Sequence, residues 1–267
     1  MDIRKWQDKF SVDVALKYSS RSTVENYKSC VFTFLKHFEN EVQPKAIPTA
    51  KIKEYMLGFE TLNTRKANLC AVKAFYRLTV KMPTKIDAVP YPKKARKLPR
   101  VIEKNFLLER IGKIKNLKHK AILSLGFSVG LRVSEVINLK IEDIDSGRML
   151  IHVRNAKGNK DRFVPLSQPI LKLLRDYVRQ YRPVEFLFNG QNDSPQYSTT
   201  SCNQIVKKYL GNKYHYHLLR HSCFTSMMES GTDIRIIQKI AGHRSTKTTE
   251  IYTHVSNDFL SQVATPI

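Results

Sequence analysis

A basic, proline-rich segment constrains the fold of this chain more than any other feature of its sequence. Lys81–Arg100 reads KMPTKIDAVPYPKKARKLPR and contains four prolines, seven basic residues and one acidic residue. Because proline removes a backbone donor and clashes with the preceding helical turn, regular helix is not expected there. We therefore predict a linker over residues 83–100 that joins two domains, residues 1–82 and residues 101–267.

Before this linker, apolar residues recur at helical spacing and no alternating pattern typical of strands is present. The clearest run predicts a helix over Val24–Phe38, which Ser22 or Thr23 would cap. Further helices are predicted around Thr49–Leu57 and Thr61–Val80. The first domain is therefore predicted to be a small helical bundle.

After the linker, helical periodicity continues but is interrupted by a predicted β-hairpin. Met149–Val153 and Arg162–Val164 have strand-like composition, and the turn-rich run NAKGNKD lies between them. The predicted helices are Glu103–Ile114, His119–Val129, one from Arg132 or Val133, Pro169–Tyr181, Ser201–Leu210, Leu218–Ser230, Ile234–Ala241 and about Thr246–Val255. The second domain is therefore predicted to be α+β, and the whole chain mainly α with a small antiparallel β-sheet.

The charge of the chain indicates the kind of partner it binds. There are 46 Lys and Arg against 23 Asp and Glu, a formal net charge of +23, and residues 1–100 carry 21 of the basic and 9 of the acidic side chains. Basic side chains displace the counterions condensed on phosphates, so the excess charge of both halves favours binding to nucleic acid. The alternative is that the charge only keeps the protein soluble. In the linker, Lys93, Lys94, Arg96 and Lys97 are candidate DNA contacts, with a solvated hinge as the alternative. Lys160, in the predicted hairpin, is a further candidate DNA contact.

Cysteine spacing and hydropathy exclude several other classes of protein. The four cysteines form no Cys-x-x-Cys pair, so neither a zinc site nor a disulfide framework is predicted. Met1–Phe10 is charged and lacks an apolar core, so a secretory signal is not expected. No apolar run approaches the roughly 20 residues that span a bilayer. We therefore expect a cytoplasmic protein without a membrane partner.

Four short segments of the second half contain polar residues that suit chemistry on a phosphate. The segments are GLRVSEVINL with Arg132 and Glu135, NAKGNKDR with Lys157, HLLRH with His217 and Arg220, and GHRSTKTTEIYTHV with His243 and Tyr252. Helical spacing places His217 and Arg220 on one face, three residues apart. Each residue alone is more often structural than functional, so the inference depends on the set.

The residue types in these segments favour phosphoryl transfer without a metal. Two arginines can hold the non-bridging oxygens of a phosphodiester, because guanidinium groups are always charged and donate paired hydrogen bonds. A tyrosine hydroxyl is a nucleophile when a base such as histidine accepts its proton, and a lysine can protonate the leaving oxygen. The set lacks the clustered carboxylates with which metal-dependent nucleases hold magnesium.

The order of these residues resembles that of the tyrosine recombinase, or phage-integrase-like, family, most closely its compact Xer-type members. The catalytic resemblance covers about residues 101–260. GLRVSE supplies Arg132, with Glu135 at the place of a supporting acid; HLLRH supplies His217 and Arg220; AGHRSTKTTEIYTHV supplies His243 and Tyr252. AKGNKDRFVPL is similar to the family's hairpin, where Lys157 matches the catalytic position and Lys160 is a rival three residues away. The N-terminal helices agree by type with the family's SAM-like core-DNA-binding domain.

This resemblance implies a mechanism, with a role for each residue. Tyr252 would attack the scissile phosphate and form a 3′-phosphotyrosyl bond, freeing a 5′ hydroxyl. The implied supporting roles are phosphate binding by Arg132, Arg220 and His243, protonation of the leaving oxygen by Lys157, removal of the tyrosine proton by His217, and orientation of neighbours by Glu135. Neither ATP, metal nor another cofactor would be required, because the phosphotyrosine conserves the bond energy. The implied partners are double-stranded recombination sites and a homotetramer on synapsed DNA, with or without a second recombinase, that passes through a Holliday junction.

Other functions are compatible with the same residues. A type IB topoisomerase shares the active-site chemistry but relaxes DNA without a specific site, and a DNA-binding regulator would keep the fold without catalysis. A metal-dependent nuclease is a third alternative, which a chelator would inactivate. Within the recombinase family, integration, excision, resolution of chromosome dimers and inversion of a segment all remain open.

Overall fold

The computed structural model of the chain describes residues 1–93, 100–154, 161–190, 195–243, 245 and 248–252. The chain divides into two compact units, Met1–Arg96 and Lys97–Ile267. Lys94, Arg96 and Lys97 of the predicted linker, and Lys157 and Lys160 of the predicted hairpin, lie outside the described residues.

The first unit is a helical bundle. Its helices are α1 (Ile3–Lys17), α2 (Arg21–His37), α3 (Thr49–Leu57), α4 (Leu62–Phe75), which continues as a π-helical turn (Tyr76–Val80), and the short α5 (Pro83–Asp87). Fully buried aromatic rings hold the bundle together, since Phe75 meets Phe10 edge to face at 5.5 Å and Tyr76 meets Phe34 at 6.2 Å. Such pairs stabilise a core beyond the area they bury.

The start of the first unit differs from the sequence-based prediction. Helix α1 was not predicted, because its apolar residues follow no single stripe: Phe10 and Val14 are buried, whereas Leu16 is 84% exposed. Its N-terminus is capped by the side chain of Asp2. Helix α2 begins three residues earlier than predicted, with Ser20 at its N-cap.

The predicted linker also differs from the structure at its N-terminal end. Residues 83–87 form α5, with a proline in the first turn, where the missing backbone N–H would have no helical partner. Ile86 and Val89 belong to the bundle core, at 0% and 3% exposure. The beginning of the segment is therefore part of the first unit, because apolar burial outweighs its proline content.

The second unit packs helices around a small antiparallel sheet. Its elements are α6 (Lys104–Gly112), α7 (Leu117–Ser128), α8 (Val133–Asn138), β1 (Ile144–Asp145), β2 (Leu150–Val153), β3 (Arg162–Pro165), α9 (Gln168–Tyr181), α10 (Thr199–Leu210), α11 (Tyr216–Glu229), α12 (Ile234–Ala241), and 3₁₀ turns at Ile141–Asp143 and Glu250–Tyr252. The strand order is β1-β2-β3, and Ile151 of β2 lies opposite Ile144 and Val164. Ile151 and Val164 point into the core, whereas Phe163 points outward, as strand alternation requires.

Helix α11 runs through the core of the second unit and carries two of the predicted site residues. It packs closely on α7 at Gly126, where an added Cβ would lie 2.7 Å from the Tyr216 hydroxyl. That hydroxyl donates to the carbonyl of Ile122 at 3.0 Å. The helices of both units and the three-stranded sheet confirm the predicted fold class, mainly α with a small antiparallel sheet.

Two local predictions for the second unit need correction. Strand β1 was not predicted, because two residues are too few to show an alternating pattern. In the segment predicted as a helix over Thr246–Val255, the described residues Glu250–Tyr252 form a 3₁₀ turn instead. In the part of the chain that the structure describes, no helix combines the length and apolarity needed to cross a membrane.

Candidate active site

Arg220 lies at the centre of the site and is held by backbone carbonyls. Its side chain is 1% exposed and donates to the carbonyls of Gly130 and Ala241, each at 2.5 Å. Burial, and then the nearby charge of Arg132, lowers the pKa of Arg220 to about 10, so the guanidinium is still charged at neutral pH. A buried cation fixed in this way is preorganised to attract an anion.

Glu135 gathers the arginines of the site around one carboxylate. It accepts hydrogen bonds from the backbone N–H and Nη1 of Arg132, both at 2.7 Å, and from Nη1 and Nη2 of Arg162 at 2.8 and 2.9 Å. Arg220 Nη1 lies 3.9 Å away. Burial alone would raise the pKa of Glu135, but the hydrogen bonds and charges of Arg162 and Arg132 lower it to about 2. The carboxylate is therefore ionised and orients its neighbours.

Arg132 is positioned by the turn between α7 and α8. It is the N-cap residue of α8 and follows Gly130, whose φ of 64° is left-handed. A Cβ at Gly130 would lie 2.6 Å from the ring of Phe224, so the turn requires glycine for both conformation and space. The Arg132 side chain is 21% exposed, against 1% for Arg220, and so forms the more accessible edge of the cluster.

His243 binds directly to Arg220. Its Nε2 lies 3.2 Å from Arg220 Nη2 and its Nδ1 lies 3.0 Å from Thr249 Oγ1. Because arginine can only donate, Nε2 accepts, and the geometry assigns the ring proton to Nδ1, which donates to the threonine. Burial, then the positive charges of Arg220 and Arg132, lowers the pKa of His243 to about 4, so the ring is neutral at pH 7.

Tyr252 is buried against a second histidine. Its side chain is 1% exposed and its hydroxyl lies 3.0 Å from Nδ1 of His221. Burial raises the pKa of Tyr252 to about 12, although the charge of Arg220 opposes this. Burial, then the neighbouring His217 and Arg220, lowers the pKa of His221 to about 4. A protonated hydroxyl next to a neutral imidazole is the arrangement of a nucleophile and its base.

The tyrosine partner differs from the one that the sequence analysis assigned. His217 was predicted to take the tyrosine proton, but the hydroxyl of Tyr252 is hydrogen-bonded to His221. His217 instead packs edge-on against His221, with ring centroids 4.6 Å apart. The two histidines lie on one face because they are four residues apart on α11. His221 is the last residue of HLLRH, directly after the predicted Arg220.

The structure brings most of the predicted site residues together and adds others. Arg132, Glu135, His217, Arg220, His243 and Tyr252 form one connected cluster, which His221, Arg162 and Thr249 complete. Arg162 follows the predicted hairpin turn, where a charged residue is usually solvated, and gave no functional signal. Among the described residues, no three His, Cys, Asp or Glu side chains are grouped as metal ligands would be. The cluster concentrates positive charge and suits a phosphate oxygen.

Comparison with known proteins assigns this fold and site to one family. The model of the phage integrase family matches residues 100–258. The putative integrase/recombinase y4qK of Sinorhizobium fredii is 31% identical over 97% of this chain and 87% of its own length. Tyrosine recombinase XerA of Pyrococcus horikoshii is 31% identical over 96% and 90%, respectively.

Solved structures agree with the sequence matches. A crystal structure of XerA recombinase aligns with a TM-score of 0.55 at 29% identity and covers 97% of this chain and 96% of its own. The XerH site-specific recombinase bound to a palindromic difH substrate aligns with a TM-score of 0.73 at 21% identity, over 89% and 78%, a similarity of fold. The chain therefore belongs to the phage integrase family, and it is a tyrosine-type site-specific DNA recombinase related to the Xer proteins.

Proposed function

We propose that this recombinase cuts and rejoins DNA through a covalent 3′-phosphotyrosyl bond at Tyr252. The observation that carries the proposal is the hydroxyl of Tyr252 paired with His221 at 3.0 Å, beside the cluster of Arg132 and Arg220. A nucleophile, a base and two phosphate-binding cations are the groups that metal-free phosphoryl transfer requires.

The proposed reaction moves one proton at each end of the exchange. Tyr252 gives its hydroxyl proton to His221 as its oxygen bonds to phosphorus, and the bond from phosphorus to the 5′ oxygen breaks. We retain Lys157 as the group that protonates the leaving oxygen, with Lys160 as its rival. The phosphotyrosyl bond conserves the free energy of the phosphodiester, so neither ATP nor a metal is needed, and an incoming 5′ hydroxyl reverses the step.

Arg132 and Arg220 bind the non-bridging oxygens in this proposal, and His243 assists them. Nε2 of His243 accepts from Arg220 and so carries no proton in this arrangement. In the proposal, a phosphate draws the guanidinium towards itself and favours the charged imidazole. His243 then takes up a proton from solvent at Nε2, and this N–H donates a hydrogen bond to the phosphate.

The proposed partners follow from the family. We propose double-stranded recombination sites as the substrate and a homotetramer on synapsed DNA, with or without a second recombinase, which resolves a Holliday junction. Related structures carry DNA, including the Tn1549 transposon integrase in complex with circular intermediate DNA. Lys93 and its basic neighbours in the linker are proposed DNA contacts, and the cytoplasm is the proposed compartment. Integration, excision and dimer resolution are all compatible with this chemistry.

A suicide substrate tests the proposal directly. DNA recovered on the protein identifies the site, and a nicked copy of that site traps the covalent adduct by loss of the short 5′ fragment. Wild-type protein should form the adduct in the presence of a chelator, and Tyr252→Phe should bind the same DNA with no adduct. Tyr181→Phe is the matched control, because it removes a hydroxyl from a partly exposed tyrosine on α9. An adduct with Tyr252→Phe would overturn the assignment.

A further inference from the structure

We propose that Arg162 is a positioning residue that couples strand β3 to both phosphate-binding arginines and to the turn that carries His243. The inference rests on the proposed function and adds a residue to its machinery. Arg162 is the first residue of β3, and its side chain is 9% exposed. Its guanidinium donates hydrogen bonds to two groups that position the reacting side chains.

The first group is the carboxylate of Glu135. Arg162 binds it with two parallel hydrogen bonds, at 2.8 and 2.9 Å, the strongest geometry for this ion pair. The same carboxylate holds the backbone and Nη1 of Arg132. Each oxygen of Glu135 accepts from both arginines, so removing Arg162 leaves the carboxylate held by Arg132 alone. The partner that directs the Arg132 guanidinium would then be fixed less firmly.

The second group is the C-terminal end of α12. Arg162 Nε donates to the carbonyl of Ile240 at 2.7 Å, while Arg220 takes the next carbonyl, that of Ala241. Two cations therefore satisfy carbonyls at the negative end of the helix dipole. The next residue, Gly242, has φ 61°, and a Cβ there would lie 3.2 Å from Cδ of Arg162. The turn that leads into His243 therefore packs against the side chain of Arg162.

The hydrogen bonds of Arg162 separate this role from phosphate binding. Nε donates to the carbonyl of Ile240 and both Nη atoms donate to the carboxylate of Glu135, whereas Arg220 donates to the neutral carbonyls of Gly130 and Ala241. An arginine that neutralises a DNA phosphate contributes about −0.9 to the slope of log affinity against log salt. A positioning arginine should affect the rate of cleavage and leave that slope unchanged.

The test compares Arg162→Gln and Arg162→Lys with wild type in single-turnover adduct formation on the nicked substrate. We expect Arg162→Gln to slow adduct formation about 100-fold, the cost of misplacing reacting groups by about 1 Å. Its affinity for DNA and its salt slope should match wild type. Arg162→Lys should recover part of the rate, because it retains the charge but not the paired geometry. Without Arg162 the pKa of buried Glu135 should rise, so adduct formation by Arg162→Gln should begin to fall at a higher pH than adduct formation by wild type.

Matched variants make each outcome decisive. Arg179→Gln removes a charge from a side chain that is 79% exposed on α9 and should keep the wild-type rate. If Arg162→Gln does not fold, as thermal unfolding would show, Arg162→Lys carries the comparison of rate and salt slope. A wild-type rate in the folded variants, or weaker binding with a shallower salt slope, would overturn the proposal. Absence of an adduct in wild type would instead overturn the proposed function.

Discussion

At Tyr252 and His221, the burial that brings the hydroxyl and the imidazole together also sets their protonation. Burial favours the neutral form of each group, raising the pKa of Tyr252 to about 12 and lowering that of His221 to about 4. In the proposed reaction, the phenolate must therefore be favoured by the positive charge around the phosphate.

The same burial predicts a loss of stability in mild acid. The pKa values of His221 and His243 are lowered to about 4 in the folded protein, against an ordinary value of 6.5. Between pH 6.5 and 4 the unfolded chain binds protons at these histidines that the folded chain does not bind. The free energy of unfolding should therefore fall through this window, by about 1 to 3 kcal/mol per histidine. Urea denaturation at a series of pH values measures it.

Substitution of each histidine tests whether that histidine causes the loss of stability in mild acid. His221→Gln should flatten the decline between pH 6.5 and 4, and a second substitution, His243→Gln, should flatten it further. Glu135 acts in a separate window, because its pKa is lowered from 4.5 to about 2 and its contribution is lost only as the pH falls below 4.5. An unchanged slope in His221→Gln would show that its imidazole titrates normally in the folded state.

Single residues also show which parts of the candidate site could be predicted from the sequence. Arg132, Arg220, His243 and Tyr252 were predicted as site residues because each belongs to a motif whose order is distinctive. The roles proposed for His221 and Arg162 could not be predicted, because they depend on which side chains the fold places opposite them. Sequence spacing identifies residues that are neighbours along one helix. It does not show that Arg162 of β3 bonds to the Glu135 carboxylate, or that His221 bonds to the hydroxyl of Tyr252.

At the scale of elements, the contact between α7 and α11 is critical for the site. Helix α11 carries Arg220, and α7 leads into the turn at Gly130 that accepts its hydrogen bond. The two helices approach closely at Gly126 of α7, where no side chain lies between the α7 backbone and Tyr216 of α11. The distance between these helices therefore sets the position of Arg220 relative to Arg132.

Two glycine substitutions test this close packing. Gly126→Ala should destabilise the protein by about 1 to 3 kcal/mol, because its Cβ would lie 2.7 Å from Tyr216 Oη and 3.0 Å from Leu219. That loss exceeds the roughly 1 kcal/mol that alanine gains in a helix. Gly112→Ala is the control: nothing lies within 4 Å of its Cβ, so it should stabilise by about 0.5 kcal/mol. Equal thermal shifts for both variants would contradict the packing argument.

The elements with strong apolar periodicity were predicted well and the weak ones were not. The bounds of α9 and α12 agree with the prediction to within one residue, because each buries one clear face. Helix α1 and the 3₁₀ turn at Glu250–Tyr252 depend instead on tertiary contacts. The hydroxyl of Tyr252 in the turn bonds to His221, 31 residues away, and Phe10 of α1 packs on Phe75 of α4. No local pattern records such long-range partners.

At the scale of the whole molecule, composition predicted nucleic acid as the partner. It did not predict which basic side chains are exposed to DNA and which are buried in the site. The net charge of +23 favours DNA, and both units carry part of it. Yet Arg162 and Arg220, at 9% and 1% exposure, are withdrawn from solvent and act inside the site. Affinity for DNA should therefore come from the exposed lysines and arginines, and the chemistry from the buried arginines.

This division of roles predicts a steep and separable dependence on salt. A protein that neutralises six to ten phosphates loses about 10³- to 10⁵-fold in affinity between about 50 and 200 mM monovalent salt. We expect Tyr252→Phe, which cannot trap the DNA covalently, to show a loss of this size in fluorescence anisotropy with a labelled duplex. Tyr252→Phe combined with Arg162→Gln should give a parallel line, since the buried arginine releases no counterions. A slope shallower than about −2 would indicate that few of the exposed cations face phosphates, and that the charge of the chain mainly serves its solubility.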